Sequence, residues 1–296
     1  MGSATASGSA GSRLKRLLEA RSMALIPGCH DALGARLIED AGFEAVYMSG
    51  FSVAASFGRP DLGILTMTDV VARSIQIAEA VSVPLLVDAD TGYGGPLNIA
   101  ETVRRLEQGG VGGLHLEDQK TPKKCGALAG KELVPVEEMC ARIIIAKRAR
   151  RGEDFVIVGR TDAVTVAGLD ETIRRAKAMA EAGADAIMVP SLETPEQLRA
   201  VATCVSKPVL YVAAETVRTM YDAKQLGEFG FAASLYPLSL IMASVAAQRT
   251  VLRDLRSTGN TAQHIPNMTP FREVGALVGT PAAGEEEAAL VAGTGT

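Results

Sequence analysis

The chain has 296 residues, with 30 Lys and Arg against 34 Asp and Glu, for a formal net charge of −4. Apolar residues make up 47% and charged residues 22%, a globular balance that excludes overall disorder, and no basic cluster offers a footprint for nucleic acid or a membrane surface. No apolar run approaches the ~20 residues needed to cross a bilayer, and Cys29, Cys125, Cys140 and Cys204 show no CxxC pairing of a disulfide or zinc framework, so a cytoplasmic protein is expected.

Residues 1–12 are rich in Gly, Ser and Ala and are expected to form a flexible tail. Eight short apolar runs then predict strands at Met23–Ile26, Ala45–Met48, Leu85–Val87, Gly113–Leu116, Phe155–Val158, Ala186–Val189, Val209–Val212 and Phe231–Leu235. Between them, segments such as Ile99–Gln108, Val136–Ala149, Glu171–Ala182 and Pro195–Thr203 space apolar residues by three and four, as amphipathic helices do. Strands buried on both faces and separated by such helices form a parallel sheet. A weak internal repeat joins a helix end, a Gly and a buried strand in "EDAGFEAVYM", "EQGGVGGLHL", "EAGADAIMV" and "LGEFGFAASL". The recurrence favours a closed (β/α)8 barrel of the TIM type over an open doubly wound sheet, and no Gly-x-Gly-x-x-Gly follows the first strand. The expected organisation is a catalytic barrel over residues 13–257 and an extension over 258–296. The extension is expected to end in a disordered acidic tail from Ala283.

In such a barrel the site forms at the C-terminal ends of the strands. There the sequence places Ser49–Phe51, "DADTGYGG" (88–95), "EDQKTPKKCG" (117–126) and "GRTDA" (159–163). Asp88 and Asp90 lie two apart, on one face if extended, and Glu117 arrives from the next strand, with Arg160 facing them. A lone Asp after a strand is most simply a helix cap, but three converging carboxylates form a hard oxygen-donor set suited to Mg²⁺ or Mn²⁺. The stretch Gln119–Leu133 is polar, contains Gly and carries Lys120, Lys123, Lys124 and Lys131, the make-up of a loop that closes over a site. Within it Cys125 is flanked by lysines, which are expected to favour its thiolate. Cys29, Cys140 and Cys204 read as small buried residues, His115 as a structural histidine in a strand, His30 as the start of the first helix after its strand, and Tyr93 as a hydroxyl on the pocket rim.

The motifs "YMSG" (47–50), "GRPDLG" (58–63), "DADTGYG" (88–94), "HLEDQ" (115–119), "PKKCG" (122–126), "GRTDA" (159–163) and "LYPLS" (235–239) stand in order from about Leu14 to about Ser257. In these the chain resembles the isocitrate lyase/phosphoenolpyruvate mutase superfamily. The resemblance implies a Mg²⁺-dependent carbon–carbon lyase acting on a small 2-hydroxy- or 2-oxo-carboxylic acid through an enolate. It implies that Asp88 holds the metal, with Asp61, Asp90 and Glu117 reached mainly through water. Backbone amides at Ser49–Gly50 would help bind the oxyanion, Arg160 would grip a carboxylate and Cys125 would protonate the leaving carbanion. Catalytic candidates are therefore Cys125, Arg160, Lys123 and Glu117; substrate-contacting candidates are Ser49, Gly50, Asp88, Tyr93, Gly126, Arg160, Ser191 and Val212. The resemblance also implies a homotetramer, a dimer of dimers, in which the C-terminal barrel helix is swapped between subunits.

Three positions depart from the lyase pattern. Ala127 stands where a His is usual, Ser191 where a Glu after strand six is usual, and Val212 where an Asn after strand seven is usual. All three fall on the side of the pocket that would meet the distal carboxylates of isocitrate or methylisocitrate, and a buried carboxylate left unpaired there costs several kcal/mol. The expected substrate is therefore an acid of the 2-methylisocitrate or alkylmalate kind with an uncharged or branched distal part. The alternatives are an oxaloacetate decarboxylase, a carboxyphosphonoenolpyruvate or phosphoenolpyruvate mutase, and a catalytically silent homologue that binds metal and 2-oxo acid.

Overall fold

Strict alternation of inward and outward side chains explains how the eight apolar runs close on themselves. In this computed structural model, which describes residues 8–20, 22–216 and 219–293, the strands are β1 (Ala24–Cys29), β2 (Val46–Met48), β3 (Leu85–Asp88), β4 (Gly113–Glu117), β5 (Val156–Arg160), β6 (Ala186–Val189), β7 (Val209–Val212) and β8 (Ala233–Tyr236). All neighbours pair in parallel and β1 pairs with β8, closing the barrel. The expected (β/α)8 architecture is therefore correct, with strand ends shifted by up to three residues.

The helices are α1 (Ala10–Glu19), α2 (Ala32–Asp40), α3 (Gly50–Ser56), α4 (Met67–Ala80), α5 (Pro96–Gln108), α6 (Val136–Ala149), α7 (Leu169–Glu181), α8 (Pro195–Ala202), α9 (Ala223–Phe229), α10 (Ser239–Thr258), α11 (Phe271–Leu277) and α12 (Thr280–Gly293). Local chemistry starts several of them. Asp31 caps α2 by accepting from the Gly34 amide at 2.7 Å, and Thr66 with Asp69 forms a reciprocal capping box on α4.

Every second strand residue points into the barrel, and Ala24, Ile26, Leu86, Val156, Val158, Ala186, Met188, Leu210, Ala233 and Leu235 pack there as one cluster. Leu14 and Leu18 of α1 belong to the same cluster and are buried. The expected flexible tail is thus corrected at its inner end: residues 10–12 are helical, capped by Ser9, because Leu14 needs the barrel floor. Met1–Ser7 lie outside the described residues. The larger cluster lies between the outward strand faces and the helices.

The chain divides into two compact units at Leu240/Ile241. In the second unit no residue of α11 or α12 is buried. Residues 280–293 form α12 where a disordered tail was expected. Ala, Glu and Leu are strong helix formers, and their propensity outweighs the tail's polarity. Among the described residues no helix is long and apolar enough to cross a membrane.

Candidate active site

Continuing the inward row of each strand by one step past the apolar core puts polar groups at the top of the barrel. From β2 come Tyr47 and then Ser49, from β3 Asp88, from β4 His115 and Glu117, from β5 Arg160, and from β7 Val212; register pairs Asp88 with His115 and Glu117 with Arg160. The loop after β4 folds back over them, anchored at its base by the Gln119–Leu133 bridge and held by the Cys125 amide donating to the Asp61 carbonyl at 3.1 Å. The result is a cavity whose polar lining includes Tyr47, Ser49, Asp61, Asp88, Lys123, Cys125 and Arg160, with Gly126 among them.

The rest of the lining is Phe51, Ala127, Met188, Pro190, Ser191, Val212, Ala214, Thr216, Pro237 and Leu238. It carries no charged side chain. Ala127, Ser191 and Val212, the three departures from the lyase pattern, all line this cavity.

The charges are organised around two cations. The Lys123 ammonium lies 2.5 Å from Asp61 Oδ1 and 2.6 Å from Asp90 Oδ1. Arg160 donates through Nε and Nη2 to both oxygens of Asp162, at 3.1 and 3.2 Å. Its Nη2 also lies 3.2 Å from Glu117 Oε2, and Nη1 is 3.9 Å from Asp88 Oδ2. Nη1 is thus the one guanidinium nitrogen with no close partner among these carboxylates, and it is the edge that can meet a substrate carboxylate. Burial opposes the charge of both cations, but the surrounding carboxylates hold Lys123 and Arg160 protonated.

Asp88 is also buried, yet His115, Lys123 and Arg160 pull its carboxyl below the usual range. His115 itself, pushed down to about 4 by burial, is neutral at pH 7 and meets the Tyr47 hydroxyl at 2.9 Å, the structural part expected of it. Burial pushes Asp90 up to about 7 against the pull of Lys123, and raises Glu117 strongly despite Arg160.

Four acidic candidates, Asp61, Asp88, Asp90 and Glu117, thus face two cations, an excess of two negative charges when all are ionised. Among the described residues no three of them form a ready-made ligand cluster. Lys123 lies between Asp61 and Asp90, and Arg160 lies beside Glu117 and Asp88. What remains fits a hard dication held by one carboxylate with the others at a distance: Glu117 Oε1 is buried without a hydrogen-bond partner, and all donors are oxygens.

Other candidates move. Gly50 and Tyr93 line a second, smaller cavity with Asp61, Asp88 and Asp90, not the main one. The Gly50 amide donates to Asp88 Oδ2 at 3.3 Å and the Ser49 amide to the Cys29 carbonyl at 3.3 Å, so neither is free for an oxyanion. The Cys125 thiol is raised by burial and by Asp61, against Lys123, while the Lys124 ammonium turns away to the Gly130 carbonyl at 2.7 Å. The expected thiolate is therefore a thiol, which suits a proton donor.

Sequence reasoning passed over Asp162, Lys131 and Tyr47. Asp162 stood inside the quoted "GRTDA", two residues from Arg160, a spacing that places both at the same strand end. The non-glycine residues with positive φ among the described residues are Asp90, Tyr93 and Ser191. All three lie at this end of the barrel, where backbone strain is retained for a site.

The phosphoenolpyruvate phosphomutase family model matches residues 14–256. A probable 2-methylisocitrate lyase 2 of Corynebacterium glutamicum is 43% identical over 256 residues, 86% of this chain and 83% of the relative. The 2,3-dimethylmalate lyase of Eubacterium barkeri is 39% identical over 269 residues, 90% and 93% of the two chains. A phosphonopyruvate hydrolase solved with oxalate and Mg²⁺ superposes with a TM-score of 0.87 at 30% identity, covering 95% of this chain and 99% of that one. The chain with this barrel and this strand-end constellation belongs to the phosphoenolpyruvate mutase/isocitrate lyase superfamily.

Proposed function

We propose that the chain is a Mg²⁺-dependent lyase that cleaves a carbon–carbon bond in a 2-hydroxy- or 2-oxo-carboxylic acid whose outer substituent is uncharged or branched. One observation carries this reading: a single cavity is lined both by Arg160, Asp88, Lys123 and the Cys125 thiol and by the uncharged Ala127, Met188, Pro190, Ser191, Val212, Ala214 and Thr216. A methylisocitrate-type carboxylate arm pressed against those residues would meet no cation, only the Ser191 and Thr216 hydroxyls. An alkylmalate, the kind of acid named for the Eubacterium relative, would bury its alkyl group there.

In this mechanism Arg160 Nη1 and Lys123 orient the substrate carboxylate. Asp88 would hold the metal, with Asp61, Asp90 and Glu117 reaching it through water, and the bound dication would supply the positive charge that offsets the electrons released on cleavage. As the hydroxyl proton leaves and the 2-oxo group forms, the pair of the breaking bond passes to the carbon beside the second carboxylate. The Cys125 S–H gives its proton to that carbon, and the thiolate recovers one from the hydroxyl side. The docked loop excludes water while the carbanion exists. For assembly we propose a homotetramer, a dimer of dimers; the exposed Leu252, Ile265 and Phe271 support burial of the C-terminal helices by a partner subunit.

The test supplies Mg²⁺ and a panel of alkylmalates, oxaloacetate, isocitrate and methylisocitrate, with pyruvate and glyoxylate as readouts. Alkylmalate cleavage is expected. Efficient turnover of methylisocitrate alone would overturn the pocket reading, and oxalate binding without any turnover would overturn the lyase.

A further inference from the structure

We infer that Asp162 is a positioning residue that makes the carboxylate grip of Arg160 and the docking of the Cys125 loop one event. The inference rests on the carboxylate-binding reading of Arg160. Asp162 is fully buried and its two oxygens face in two directions at once. Toward the barrel they take Arg160 Nε and Nη2 in a fork, at 3.1 and 3.2 Å, which fixes Nη1 as the edge left for substrate. Toward the loop after β4, Oδ1 lies 3.6 Å from the buried Lys131 ammonium, and Oδ2 accepts from Gln119 Nε2 at 3.5 Å.

The loop closes on this pair with no room to spare. Gly126 sits so close that a Cβ there would stand 2.7 Å from Arg160 Nη2 and 3.4 Å from Asp162 Oδ1. Lys131 also donates to the Gly126 carbonyl, so one ammonium ties the loop to itself and faces Asp162. Cys125 is the residue before Gly126, and its place on the cavity wall therefore depends on the same contacts.

Asp162 is itself held rigidly from behind. Its amide donates to Asp118 Oδ1 at 3.0 Å. Asp118 Oδ2 accepts from Thr161 Oγ1 at 2.6 Å and from Arg175 Nη1 at 3.0 Å. A guanidinium turned by substrate would shift a carboxylate that the loop is standing on. A guanidinium held in place lets the loop stay down. This is how a bidentate ion pair transmits position and not only charge.

The experiment uses the full chain, Mg²⁺ and oxalate, and reads oxalate affinity by calorimetry beside tryptic cleavage of the loop, which carries Lys120, Lys123 and Lys124. In the native chain oxalate should slow loop cleavage. Asp162→Asn should weaken oxalate roughly 10-fold and, at saturating oxalate, leave the loop unprotected. Lys131→Met, which leaves the Arg160 fork intact, should bind oxalate within about threefold of native yet lose most of the protection and lower kcat more than KM. Lys131→Arg should restore protection in part. Native-like protection in both Asp162→Asn and Lys131→Met, with or without a loss of thermal stability, would overturn the coupling while leaving the carboxylate-binding reading in place. Failure of the native chain to bind oxalate would overturn that reading and the coupling with it.

Discussion

Replacing Gly126 by Ala is the sharpest perturbation of the docked loop, because it adds one methyl group and removes nothing. Its Cβ would stand 2.7 Å from Arg160 Nη2, so the two must part by about 0.7 Å to reach ordinary contact near 3.4 Å. The end of an arginine usually yields to such a push, but this one is held between Asp162 and Glu117 at 3.2 Å on either side. The backbone of Gly126 does not require a positive φ, so Ala brings no conformational penalty of its own. The displacement falls on the gap between the loop and the guanidinium, and with it on Cys125. Misplacing a reacting group by about 1 Å costs on the order of 100-fold, so kcat/KM should fall about 10- to 100-fold, ~1.4–2.7 kcal/mol of barrier. The assay is steady-state cleavage of the best acid in the panel, beside thermal unfolding, where Tm should hold within a few degrees. Native kcat/KM in Gly126→Ala would refute the claim that the loop docks on the Arg160–Asp162 pair.

Other outcomes follow from the same structure. Cys125→Ser should lower cleavage about 10²- to 10⁴-fold with metal affinity near native. Because burial raises the thiol above its ordinary value of 9.0, the donor form persists through neutral pH and is lost only as pH rises further. The alkaline limb of the kcat profile should accordingly lie above pH 9.0 and vanish in the variant. Leu14→Ala, which empties a fully buried site under the barrel, should cost about 2–5 kcal/mol and lower Tm by roughly 5–15 °C in thermal unfolding. Glu171, pulled down to about 2 by its bond to Arg174 and, against burial, by Arg175, stabilises the fold above the ~4.3 of an unfolded glutamate and loses that contribution as pH falls toward 2. Tm in Glu171→Gln should therefore fall less steeply than in the native chain between about pH 5 and pH 2.5.

The barrel was legible because both faces of its strands are buried, so Val-, Ile- and Leu-rich runs mark them whatever their neighbours do. Where the strands ran on, to Asp88, Glu117 and Arg160, the polar residue that ends the apolar run read as loop, and those residues belong to the proposed site. The carboxylates, Arg160 and Cys125 were therefore found by position and motif. Their partners were not, since nothing in the spacing of "PKKCG" shows that Lys123 turns in between Asp61 and Asp90, or that burial outweighs two flanking lysines at Cys125. Those outcomes depend on how a loop of some 15 residues folds back over the strand ends. Ser191 and Val212 could be grouped with Ala127 only through the resemblance to the lyases, and all three line one cavity. The two termini went the other way: residues 10–12 and the Ala- and Glu-rich 280–293 stretch are helical where local composition read as tail.

The central claim is that the excess negative charge at the strand ends serves a hard dication anchored by Asp88. Isothermal titration of the metal-stripped chain with Mg²⁺ and Mn²⁺ tests it most directly. One ion per chain should bind, and Asp88→Asn should abolish or greatly weaken its uptake; no uptake by the native chain, or uptake indifferent to Asp88→Asn, would contradict the account.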